Sequence, residues 1–533
     1  MLFSLPALLA NGLLKHTRKY FSLPKGYYNL QHIFITLAFT ALLRIKNIES
    51  IQYYSPGELG KVVGLDRVAE VKTIREKLGI LAKQNNAQQW NSELSKEWMA
   101  SAGAISGLLY VDGRVRVYHG KKTKLPKRYV SREKLCLRGM SDYWVNDAIG
   151  RPYFVVSSAH NKGLLSILKT EIIAKLLKEV PNQPTESELT QNLQLSRFSV
   201  IFDREGYSPE FLKQMWEEHR ISCYTYKKYP GKDWPKEMFK EQEVKLHNGE
   251  VVRMMLAEKR TKLSKKVNVR EIRRLTKSGH QTAIITTDFI PETIVIAATM
   301  FARWSQENFF KYMREHFGID RLIEYGTTPV DETVKVVNPA YRDIESRIRS
   351  VSQKLGRKVS EFGRITLELE GKNIAEEDKE MKKYVKEKSQ LQEVIELYEN
   401  EIAGLKEQRK HIEKNIEMGE LPECEKYSSL TNEKKHIVDT IKMIAYRAET
   451  AMASMIQPKL SQRKTTKVLL RQIFSTEVDL EPDTKNNVLN VSLHSLSNEK
   501  SNKIAIDLCK RLNETETVFP GTEMRLSYKL VSL

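Results

Sequence analysis

The hydrophobic period of this chain changes twice along its length, and the changes limit what it can fold into. Up to about residue 103 the apolar residues recur at helical spacing. From Ala104 they alternate or run in short blocks, as strands do. From about Tyr341 the helical period returns with heptad-like seams. At 533 residues, the expectation is a multidomain α+β protein. Its expected parts are a helical region at 1–103, a mixed α/β region at 104–340 with a β-rich insertion at about 229–280, coiled-coil-like helical hairpins at 341–460 and a small α/β tail at 461–533.

In the first region, Ser55-Pro56-Gly57-Glu58 reads as an N-cap, a first-turn proline and an early acid. Gly64 is placed to turn the chain. A second helix is expected from about Asp66, with Val68, Val71, Ile74 and Leu78 on one face and Arg67, Lys72 and Arg75 elsewhere on it. The pair is either a DNA-reading helix-turn-helix or a plain helical hairpin.

The second region reads strand, strand, strand, helix, strand, helix, strand. Its first hairpin is expected to turn at Gly113 and another around Asn146, Gly150 and Pro152. A helix spans 164–177, the strand SVIF ends at Asp203, and Ser208-Pro209-Glu210 opens the next helix. Between 221 and 280 there are 16 Lys and Arg against 7 Asp and Glu, an excess of nine, on strands around the Asn248-Gly249 turn. A strand from Thr282 to Asp288 and a long helix from Pro291 to about Phe317 follow.

Charge narrows the partner. Lys and Arg number 87 against 67 Asp and Glu, a net +20, which favours a polyanion, nucleic acid first. A membrane partner is not expected: the longest apolar run, Ile33 to Leu43, is shorter than the ~20 residues of a span. The opening MLFSLPALLANGLL lacks a charged leader and a small-residue cleavage site and reads as a helix. Cys136, Cys223, Cys424 and Cys509 form no C-x-x-C pair, which argues against a zinc module and suits a cytoplasmic chain.

Two acids end apolar strands, Asp112 after LLYV and Asp203 after SVIF. The C-terminal strand edge is where α/β sheets bind ligands. If the two strands are neighbours, their carboxylates converge and repel unless a cation lies between them. Mg²⁺ suits that position, and a second ion would clamp both the attacking and the leaving oxygen of a phosphodiester. On the 291–317 helix Glu307 has Arg303, Lys311 and Arg314 at helical spacing, either a metal ligand among phosphate contacts or a ladder of surface ion pairs.

The blocks VDG at 111–113, FDREGY at 202–207 and RWSQENFFKYMR at 303–314 resemble the catalytic blocks of bacterial insertion-sequence DDE transposases. One branch has a third block of Tyr, Arg, Glu and Lys. Here Arg303 and Glu307 match, Arg314 keeps the lysine's charge, and Met300 stands in the tyrosine's place. That branch also carries a β-rich insertion in the longer second gap. The resemblance implies a ribonuclease-H-like fold in which Asp112, Asp203 and Glu307 bind two Mg²⁺ ions, with Mn²⁺ as a substitute. Water would then cut one strand at the element's end, and the freed 3′-OH would attack a second phosphodiester. Arg303, Lys311 and Arg314 would hold the scissile strand, and Lys262, Lys265 and Lys266 of the insertion would contact DNA. Trp234 would stack on an unpaired base, unless it is a packing aromatic. The implied partners are double-stranded DNA, as transposon ends and target, and a second copy of the chain in a homodimer on DNA. No small-molecule substrate is implied, and the setting would be the bacterial cytoplasm, associated with the nucleoid. Two rival readings are a degenerate transposase-derived DNA-binding scaffold and an endonuclease of the same fold without strand transfer.

After Tyr341 three seams are legible: Ile344 to Phe362, Ile395 to Ile416, and Leu430 to Met455. The last is expected to pack between protomers.

Overall fold

The computed structural model describes residues 1–120, 123–130, 133–158, 163–247, 249–264, 267–301, 303–324, 326–370, 379–457 and 463–531, without the side chains at 104–105, 303–306, 367–370, 379–382 and 463–464. The chain forms two compact units. One comprises residues 1–119, 127–326 and 430–533, and the other residues 120–126 and 327–429.

The larger unit is built on a mixed sheet. Among the described residues its ten strands are β1 (Leu108–Val117), β2 (Lys127–Val130), β3 (Leu135–Asn146), β4 (Pro152–Ser158), β5 (Ser199–Phe202), β6 (Ser222–Tyr226), β7 (Lys240–Lys245), β8 (Val251–Leu263), β9 (Val267–Leu275) and β10 (Gln281–Thr286). The order runs β4-β3-β1-β5-β6-β10-β9-β8-β7, with β2 paired to the first part of β3. β1, β5 and β6 are parallel, as expected of strands joined by helical crossovers. β3 and β4 continue antiparallel on one side and β10 to β7 on the other. The basic insertion is thus a meander that extends the same sheet.

Gly113 does not turn the chain. β1 runs straight through it, with Gly113 opposite Tyr143 of β3. A Cβ there would sit 2.7 Å from the Tyr143 ring, so the glycine makes room for an aromatic. The Asn146–Pro152 hairpin forms as expected, with Gly150 at φ +86° and the Asp147 N–H donating to the Arg151 carbonyl. The strand Lys127–Val130 was not foreseen from the sequence.

The helix expected from Asp66 begins at Val71 and runs to Ala82. Gly64 caps the preceding helix Pro56–Val63 in the left-handed conformation, and the chain then folds back over Gly60. There the Val68 N–H donates to the Pro56 carbonyl, so it is not available to a helix. The long helix expected over 291–317 is Thr293–Phe301 and Arg303–Tyr312, ending in a π-turn at Met313–Phe317. A π-turn also interrupts the 164–179 helix, at Leu168–Ile172.

The third seam is a correction of larger consequence. Helix Glu433–Ile456 is the central helix of the larger unit, with 17 of its 24 residues buried and Ile437 and Ile441 fully so. It packs against the apolar helix Leu30–Leu42 and the helices Val71–Ala82 and Ala87–Ser101. A seam surrounded by its own chain has no face left for a second protomer. Buried charged groups on this helix find polar partners: Lys435 donates to Asp439 and to the Ile319 carbonyl, and Arg447 to the Pro152 carbonyl. Glu449 accepts from Arg44 and the Tyr312 hydroxyl.

The tail folds as a three-stranded sheet, Val478–Asp483, Val488–Leu493 and Arg525–Leu530, with helix Glu499–Asn513. In the smaller unit, helices Pro339–Glu370 and Lys379–Lys410 form a hairpin that buries Ile348, Val351, Ile402 and Leu405. Among the described residues no helix is long and apolar enough to cross a membrane.

Candidate active site

The parallel pairing of β1 with β5 places Leu108 beside Ser199 and Val111 beside Phe202. The next residue after each is an acid: Asp112 lies midway along β1, which continues to Val117, not at a strand end as expected, and Asp203 directly follows β5, so the two stand at adjacent positions where the parallel pairing stops. Asp112 accepts from the Gly113 N–H at 2.9 Å. Asp203 accepts from the Arg204 N–H at 2.6 Å and caps the turn Arg204–Gly206.

A cavity of about 830 Å³ opens beside Asp112. Its carboxylates are Asp112, Glu205 and Glu307, and its cations are Arg114, Lys127, Arg128, Lys311 and Arg314. The third acid arrives through helix phase. Phe309 and Met313 are buried, and Phe309 lies 5.5 Å from Trp144 and 5.2 Å from Tyr446, ring centre to ring centre. With those two residues locked into the core, Glu307, Phe310, Lys311 and Arg314 turn together toward the cavity. Two of the three expected acids therefore share one cavity. Asp203 is not among its lining residues; Glu205, two positions on, takes that place and also receives the Leu164 N–H at 3.4 Å.

The cavity is electrostatically loaded. Arg114 lies beside the Phe310 ring, and its Nε and Nη2 are buried without a hydrogen-bond partner. Burial, and then the nearby Arg314, hold its guanidinium below the usual range, against the pull of Asp320 and Asp112. Burial, and then Glu205, push the Tyr143 hydroxyl up to about 12. Among the described residues no three His, Cys, Asp or Glu side chains form a ready-made metal group. Asp112 and Glu307 nonetheless both line the cavity and offer hard oxygen donors, the donor type that Mg²⁺ takes.

The remaining expected residues are dispersed. Lys262 is exposed on β8, while Lys265, Lys266 and the Arg303 side chain lie outside the described residues. Met300 is fully buried with Tyr110 and Ile284, so the position where the branch has tyrosine faces the core, not the cavity. Trp234 is half-buried: Lys259 and Arg273 lie 4.7 and 4.4 Å from its ring centre, and its backbone exchanges two hydrogen bonds with Gln281. The insertion's positive excess is partly spent internally, with Arg270 paired to Glu258, and Arg273 and Lys227 to Glu271. Arg67 and Lys72 are exposed, and Arg75 is held by Glu49 at 2.6 Å.

A family model described as transposase protein matches residues 1–532. The chain belongs to this transposase family. No curated protein and no solved structure matches it. For a transposase, the cavity offers acids beside a cationic wall at the C-terminal edge of parallel strands. Arg114, Lys127, Arg128, Tyr129 and Glu205 also line this cavity, none of them expected there from the sequence. A signal for several of them was present: residues 121–138 carry eight Lys and Arg against a single acid.

Proposed function

We propose that this transposase cuts and joins DNA by metal-assisted phosphoryl transfer at Asp112, Asp203 and Glu307. The observation that carries the reading is the β1–β5 register, which sets two aspartates at neighbouring positions where the parallel pairing stops, Asp112 lining the same cavity as Glu307. The strand order β4-β3-β1-β5-β6 supports a ribonuclease-H-like core, since in it the first three strands form an antiparallel meander and the last two run parallel to β1.

Asp112 and Glu307 would hold a divalent ion, with Asp203 joining from the adjacent strand. When bound, such an ion polarises a phosphodiester and lowers the pKa of its water. This chain's own residues do the rest. Arg114, Lys311 and Arg314 bind and orient the phosphate, and their fixed charge stabilises the anion that develops as the bond breaks. The departures of Met300 and Arg314 from the branch pattern fit this reading, because Met300 lies in the core and Arg314 keeps its charge on the cavity.

The test is cleavage of the element's end by Asp112→Asn, Asp203→Asn and Glu307→Gln. Each variant is expected to lose Mg²⁺-dependent cutting while keeping DNA affinity. Near wild-type cutting by all three sinks the assignment. Appearance of joined products with the wild type separates a transposase from a hydrolytic nuclease.

A further inference from the structure

The hairpin β2–β3 presents an unusual edge to the cavity. Along β2 exposure alternates: Arg128 and Val130 are buried, whereas Lys127 and Tyr129 face outward. The buried pair anchors the strand, so Tyr129 is held out with 62 % of its surface exposed. Across the ladder it pairs with Cys136, and Leu135 beside that residue is also exposed. A large ring standing in water is a feature to be explained when it lines a functional cavity. Lys127, Arg128 and Tyr129 share that cavity with Asp112 and Glu307. Lys127, Arg128 and, opposite Lys127 on the ladder, Arg138 make this edge complementary to a phosphate backbone.

We infer that this hairpin is a clamp for an unpaired DNA strand, in which Tyr129 stacks on one base while Lys127 and its cationic neighbours hold the phosphates. The inference rests on reading the cavity as a DNA-cleaving site. The ring requires an unpaired base because a paired base hides both faces within its own stack. A ring flanked by cations serves any base sequence, since each base has a π-face and each nucleotide a phosphate. Position assigns the consequence: the stacked nucleotide lies next to the phosphate that Asp112 and Glu307 would serve, so the clamp keeps the strand open where it is cut.

The test uses the full chain in EDTA, so that nothing is cut. The probes are a forked DNA with 2-aminopurine in its unpaired arm beside the junction and a fully paired duplex of the same sequence. The wild type is expected to bind the fork more tightly than the duplex and to quench the 2-aminopurine. Tyr129→Ala should lose about 5- to 150-fold on the fork and little on the duplex, and its quenching should disappear. Tyr129→Phe should keep both. If Tyr129→Ala retains quenching and fork preference, the stacking is wrong. If the wild type grips the duplex and shows no preference for the fork, the stacking is wrong while the reading of the cavity stands. If the wild type binds neither DNA, the reading of the cavity falls and takes the clamp with it.

Discussion

Replacing Asp142 tests whether the strand that carries Asp112 is held by charge. Asp142 on β3 and Arg116 on β1 are 5 % and 3 % exposed. They meet as a fork, Nε to Oδ2 and Nη2 to Oδ1, both at 3.1 Å. Ser157 donates to the same carboxylate at 2.6 Å, and Arg116 also reaches Asn432 at 3.1 Å. Asp142→Leu strands a guanidinium that water cannot reach. Breaking such a pair costs about 3–5 kcal/mol, against a total domain stability of about 5–15 kcal/mol. Combining it with Arg116→Met removes the orphaned charge, and replacing a buried pair by apolar groups is often near neutral. The double variant should therefore recover most of the loss. The assay is urea unfolding followed by tryptophan fluorescence, with Trp144 two residues from the change. Acid adds a second readout. Burial raises the Asp142 pKa, but Arg116, Lys435 and the Ser157 bond outweigh it and hold it below the usual value. Its contribution is therefore present above the ordinary carboxylate pKa and is lost as pH falls through the depressed one. The double variant should show a shallower acid limb than the wild type. A single variant that costs under about 1 kcal/mol, or a double variant as damaged as the single, refutes the reasoning.

Two further outcomes follow from the central helix. Burial lowers the His436 pKa to about 4, so the folded state keeps it neutral while the unfolded chain takes a proton below its ordinary 6.5. Stability should thus fall as pH drops from about 6.5 to 4, by on the order of 3 kcal/mol, and His436→Gln should flatten that segment of a stability–pH curve. Ile437→Asp with Ile441→Asp sets two carboxylates in a dry core and should abolish the folded circular-dichroism signal of the larger unit; a variant that folds and loses only self-association would restore the inter-protomer seam.

Read by itself, the sequence determined what rests on local chemistry. Ser208 before Pro209 opened a helix because a serine oxygen accepts the Phe211 N–H. SVIF made a strand because a short apolar run between polar ends suits a strand buried on both faces, here between two parallel neighbours. Asp112 and Asp203 were legible as acids following short apolar runs and Glu307 as an acid among cations on a helix, a pattern that pointed to a transposase, and the chain belongs to a transposase family. Local rules failed where a distant partner decided. Gly113 has the chemistry of a turn, but a tyrosine ring thirty residues away needed its missing Cβ. Leu430 to Met455 has the spacing of a dimer seam, since a helical stripe shows that a face will be covered and not by what. Apolar contact carries no address, and only the folded chain, with Leu30–Leu42 packed against that face, supplied one. The cavity follows the same logic: Asp112 and Glu307 could be named from an apolar run and a helical charge pattern, while Arg114, Glu205 and Tyr129 joined them through strand register and chain packing, which are settled only when the sheet assembles.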